Sequence, residues 1–260
     1  MLVKYANLAS GSNSFWVSMF TSKADIIARL RRDLLPLQGF KPGSGINQNV
    51  GLGQINHSFP NGSFPVGAIH EFISAGTEDS TATGGFIAAV LSKLMKNGGA
   101  SLWISSSRTL FPPTLKFFDI DPEKIIFIDL QREKDVMWAM EEALKCDSLA
   151  AVVGEIQELN FTTSRRFQLA VEQSRVTGFI LRHNPRNLNT TACVTRWKIT
   201  HLPTILADEI PGVGSPRWNV ELLKVRNGKP GLWQVEWIGK RFRHLPIITA
   251  ISQEQQKKTG

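Results

Sequence analysis

The sequence predicts an α/β fold built on a mainly parallel sheet, on three grounds. From Gly67 to Leu181, short apolar runs alternate with longer helical stretches, the rhythm of βαβ crossovers. After Thr190 the rhythm changes to alternating strands, two of them joined across Asn227-Gly228, a strong hairpin signal. Between the first core strand and the first core helix lies a glycine-containing turn, the place where α/β proteins hold phosphates.

The elements follow in order. Residues 1–21 lack periodicity and are expected to be a disordered leader. From Ser22 to Pro36, Ile26, Ile27, Leu30, Leu34 and Leu35 recur at helical spacing, with Arg29, Arg31 and Arg32 interleaved. Gly39 to Gly62, rich in Gly, Pro and Asn, reads as a connector, so that 22–62 forms an N-terminal helix plus loop. The core, 63–250, opens with a strand at Ala68–Ile73, a loop over Ser74–Thr81 and a helix at Thr83–Met95. Strands follow at Ala100–Ser105, Ile125–Leu130, Leu149–Val153 and Thr177–Leu181, with helices at Gln131–Lys145 and Thr163–Arg175. From about residue 190 a β-hairpin extension comprises Ala192–Ile199, Trp218–Val225 and Leu232–Ile238. Residues 251–260 are expected to be a frayed tail.

The junction after the first strand invites comparison with a phosphate loop, G-x-x-x-x-G-K-[ST]. The chain reads Gly76-Thr77-Glu78-Asp79-Ser80-Thr81-Ala82-Thr83. Gly76 and Thr83 keep their places. Thr81 stands for the second glycine and Ala82 for the lysine, while Ser80 completes a degenerate nucleotide loop. That lysine neutralises the β and γ phosphates, and Glu78 and Asp79 add the wrong sign of charge. No metal-binding Asp ends the strand at Val153, where Gly154-Glu155 follows and Glu155 reads as a solvated strand-end residue. Ser105-Ser106-Ser107 offers no carboxylate to activate water. Phosphate transfer therefore lacks three of its parts, and no ATPase activity, catalytic residue, metal or cofactor is expected.

Charge adds a second theme. The net +8 divides into +4 over residues 1–70, −2 over 71–194 and +6 over 195–260, so basic flanks surround a near-neutral middle. Arg217, Lys224, Arg226, Lys229, Arg241 and Arg243 interleave with Trp218, Trp233, Trp237 and Phe242, a composition suited to single-stranded nucleic acid, although at least two of these rings should be core. Arg165 and Arg166 open a helix and fit either phosphate contact or a surface ion pair. His70 and Glu71 have no companion metal ligand nearby and read as structural. Cys146 and Cys193 lack metal spacing and are expected to be inert in a reducing cytoplasm; no stretch reads as a membrane span.

Several segments carry a family resemblance. Gly51-Leu52-Gly53 through Gly67-Ala68-Ile69-His70-Glu71 resembles the entry to the first core strand of RecA-type proteins. Val153-Gly154-Glu155, Ser164 to Ala170, Thr177 to Arg182, Arg217 to Lys224 and Gly228 to Trp233 with Glu236-Trp237 are similar to the ImuA branch of that superfamily. The resemblance implies a RecA-like core with a lysine-free phosphate loop, in an accessory protein of SOS mutagenesis and translesion synthesis. It implies two partners, an ImuB-like inactive homologue of Y-family polymerases and a DnaE-type error-prone polymerase. It also leaves room for RecA, single-stranded DNA and further copies of the chain; in RecA-like proteins an N-terminal helix packs on the neighbouring subunit. A divergent DNA-dependent ATPase, using Glu155 or Glu158 with ATP and Mg²⁺, is the alternative.

Overall fold

The computed structural model describes residues 49–107, 110–204 and 214–246. The leader, the helix expected over Ser22–Pro36 with Arg29, Arg31 and Arg32, and the tail lie outside the described residues. Six strands run parallel: β1 (Ile69–Ser74), β2 (Ser101–Ser105), β3 (Ile125–Asp129), β4 (Ala151–Ile156), β5 (Thr177–His183) and β6 (Thr195–Leu202). Antiparallel β7 (Arg217–Val225), β8 (Gly231–Ile238) and β9 (Arg241–Leu245) extend the same sheet, in the order β3-β2-β4-β5-β1-β6-β7-β8-β9. β1 and β4 are buried along their whole length, as expected of central strands covered on both faces.

Helix α1 (Thr77–Leu94) covers one face. Its core joins Phe72, Phe86, Trp197, Trp218, Trp237 and Phe242 into one apolar cluster. Helices α2 (Glu133–Leu144) and α3 (Phe161–Ser174) cover the other face, over Ile69, Val152 and Ile180. At least two tryptophans of the basic–aromatic segment were expected in the core, and Trp218 and Trp237 are both there. Their rings pack on Phe118 and Phe242, and so are not free to stack on bases.

Three local expectations are corrected. The connector is not loop throughout: Gly53–Ser58 is a 3₁₀ helix, and Val50, Leu52, Ile55 and Phe59 enter the core. The loop expected over Ser74–Thr81 shrinks to Ala75-Gly76, because α1 starts at Thr77. Glu78 and Asp79 occupy its first turn, where carboxylates stabilise the positive end of the helix dipole. The acidic residues that disfavour a phosphate thus favour an earlier helix. The third correction is β9, an additional strand entered through Gly239 (φ 57°) and Lys240 (φ 59°). Positive φ at both central residues is the signature of a type I′ hairpin turn.

Parallel strands normally need a helix between them, yet β5 and β6 are joined by 184–194 without one. Four cations hold this crossover by its carbonyls. Arg182 donates to Asn187 O at 2.9 Å, Arg196 to Asn189 O at 2.5 Å, Lys224 to Thr191 O at 2.9 Å and Arg226 to Ala192 O at 2.6 Å. An irregular segment lying on a sheet must satisfy its backbone groups, and these side chains do so.

The hairpin between β7 and β8 is fixed by a close backbone approach. Lys229 N–H donates to Ser58 O at 2.9 Å, and a Cβ on Gly228 would stand 2.1 Å from that carbonyl. Gly228→Ala must push the 3₁₀ segment off the hairpin, at about 1–3 kcal/mol. Urea denaturation is the measurement; an unchanged midpoint would show that the turn moves freely.

Candidate functional site

The strand ends of β1, β4 and β5 converge beside the start of α1. There a polar cavity of about 570 Å³ is lined by Gly76, Ser80, Ser107, Glu155, Gln157 and His183. An adjoining apolar cavity of about 820 Å³ runs along α1, with Gly84, Phe111, Phe117 and Trp218 in its wall, and shares Ser80, Glu155 and His183 with the first.

The residues of the expected nucleotide loop take separate roles. Gly76 is the α1 N-cap in extended conformation (φ −158°), with no side-chain cap. Ser80 and Thr81 stand one turn further on and donate to Gly76 O and Thr77 O. Ala82 faces the core, and Thr83 is buried, its hydroxyl 3.0 Å from Ser74 Oγ. Ser80 to Thr83 are thus helical, and α1 begins directly after Gly76.

Glu155 is corrected most. It is buried inside β4, which runs on to Ile156, and is not a solvated strand end. Trp103 Nε1–H donates to its Oε1 at 2.6 Å, Ser107 Oγ to its Oε2 at 3.3 Å, and His183 Nε2 lies 3.3 Å from Oε2. His183 in turn places Nδ1 2.8 Å from Ser80 Oγ. The sequence pattern marks neither Trp103 nor His183, and it offers Ser107 only as part of a serine run without a carboxylate. The available signal was a histidine directly ending a fully buried strand.

Among the described basic residues, strand register puts Arg217, Arg241 and Arg243 on one face of the sheet. Arg166 pairs with Glu141, and Arg165 lies 3.7 Å from Glu172. Lys224 and Arg226 hold the crossover; burial lowers the pKa of each, with Arg196 adding repulsion at Lys224. Arg217 donates to Pro203 O, Arg243 pairs with Glu236, and Lys229 and Arg241 are exposed. His70 and Glu71 are internal, as read from the sequence. Cys193 is buried, which pushes its thiol up to about 12; Cys146 is exposed and 3.1 Å from Ser148 Oγ. Among the described residues no helix is long and apolar enough to cross a membrane.

A protein named ImuA from Caulobacter vibrioides, recorded in two strains, is 32% identical over 197 residues, covering 71% of this chain and 81% of the relative. The chain belongs to the ImuA family. No family model matches it. Among solved structures, a RadB recombinase superimposes with a TM-score of 0.53 at 12% identity, covering 76% of this chain and all of the other. That likeness concerns the fold alone, which is RecA-like: the mostly parallel sheet carries helices on both faces.

Proposed function

We propose that this ImuA-family chain is a RecA-like accessory protein of damage-induced mutagenesis that works by binding and not by turning over ATP. The observation that carries the reading is the junction after β1. Laid over the phosphate-loop pattern, Ala82 falls at the lysine position, and α1 begins at Thr77, which supports the reading. Its partners are an ImuB-like polymerase homologue and a DnaE-type polymerase, with DNA contact secondary. A divergent ATPase is the second reading, favoured by one observation, the buried Glu155 at the strand end.

Two assays decide. Co-expression with the ImuB-like homologue should give a stable complex on pull-down, and clean co-expression with no association counts heavily against the scaffold role. ATP turnover with and without single-stranded DNA should stay at background. Turnover stimulated by DNA and lost in Glu155→Gln would establish the second reading instead.

A further inference from the structure

Three side chains at the junction after β1 form a continuous relay: Ser80 Oγ to His183 Nδ1 at 2.8 Å, and His183 Nε2 to Glu155 Oε2 at 3.3 Å. The neighbours of Glu155 fix the direction of the protons. Trp103 Nε1–H can only donate, and Ser107 donates too, so the carboxyl is an acceptor throughout. Nε2 then carries the imidazole hydrogen toward Glu155, and bare Nδ1 faces Ser80. The Ser80 hydroxyl has one hydrogen and two acceptors in reach, Nδ1 and Gly76 O at 2.9 Å.

We propose that Ser80, His183 and Glu155 form a nucleophile, base and positioning acid for acyl transfer from an uncharged ester with an apolar acyl group. Nucleophile, base and orienting acid within hydrogen-bond reach are the required constellation. Two further features fit this chemistry. Both cavities open at Ser80, and the larger offers Leu110, Phe111, Phe117 and Trp218 to an apolar chain. The first-turn amides of α1, one turn before Ser80, have no side-chain cap and offer N–H donors at the positive helix end, the kind of group that stabilises an oxyanion. Glu78, on that turn, leans toward His201 at 3.6 Å and is largely solvated.

In the reaction Ser80 Oγ bonds to the ester carbonyl carbon while its proton passes to His183 Nδ1. The alcohol leaves with that proton, and water, activated by the same imidazole, then releases the acid and restores Ser80. The proposal is independent of polymerase binding, so its failure leaves the accessory role intact.

The test uses the full chain with a fluorophosphonate probe, whose phosphorus bonds to Oγ as fluoride departs, and with p-nitrophenyl butyrate. Label should map to Ser80 alone. Ser80→Ala should abolish labelling and butyrate hydrolysis, and His183→Gln should slow both by at least about 10³-fold. Glu155→Gln should slow them less and shift the pH–rate profile, which a merely structural role would not do. Ser80→Ala, at a half-buried surface position, is the variant that keeps the fold and so decides alone if the others unfold. An unlabelled native chain, label on another residue, or hydrolysis unchanged in Ser80→Ala overturns the proposal.

Discussion

Glu71→Gln is expected to destabilise the chain by about 3–5 kcal/mol, the cost of breaking a buried ion pair by removing one partner. Glu71 and Arg182 are both 0% exposed and meet at 2.8 Å. Arg196 adds a second cation at 2.9 Å, and Thr191 donates to the same carboxylate at 2.9 Å. One acid on β1 thus ties β5, β6 and the crossover together. Glutamine keeps the shape but leaves a guanidinium in the interior without its buried counter-charge. Glu158, the other carboxylate near Arg182, is 40% exposed and 3.4 Å away, too solvated to substitute. Urea denaturation of Glu71→Gln, Arg182→Met and the double variant measures this. The double should lose clearly less than the two singles added, since it leaves fewer unmatched charges behind. Strict additivity, or a single-variant loss under 1 kcal/mol, would show that the network is not a unit.

How far this site was legible depended on the range of each signal. The strand at Ile125–Asp129 and the hairpin at Asn227-Gly228 were readable because apolar runs and turn chemistry are local. The strand Arg241–Leu245 was not: it is only five residues long with two arginines among them, and its turn is Gly239-Lys240, not Asn-Gly. Ser80, Glu155 and His183 are far apart in sequence and meet only because β4 and β5 are neighbours beside α1. The sequence pattern ends the strand at Val153 and leaves Glu155 exposed, whereas Gly154 lies within β4 against Met140, where a Cβ would crowd Sδ. Likewise Lys224 and Arg226 look like ligands for a polyanion until the crossover supplies the carbonyls they bind.

Acid is expected to unfold this protein through His70. The ring is fully buried, stacked 4.2 Å from Phe64 and 5.6 Å from Phe179. Its hydrogen bonds define one tautomer. Nε2 lies 2.8 Å from Pro65 O, which only accepts, so Nε2 carries the hydrogen. Trp197 Nε1–H donates to Thr195 Oγ1 at 2.6 Å, leaving the Thr195 hydroxyl to donate to Nδ1 at 2.7 Å. Burial pushes the imidazole from 6.5 down to about 3. Between these two values the unfolded chain binds a proton that the native chain refuses, so stability rises with pH there. The contribution is complete above 6.5 and is lost as pH falls toward 3, at about 1.4 kcal/mol per pH unit and on the order of 5 kcal/mol in total. Glutamine can donate to Pro65 O and accept from Thr195 without titrating. His70→Gln should therefore be less stable at pH 7, through lost ring packing, yet show a flatter stability profile between pH 6 and 4. Because every other side chain is the same in both proteins, the difference in slope isolates His70, and identical slopes for parent and variant would refute the assignment.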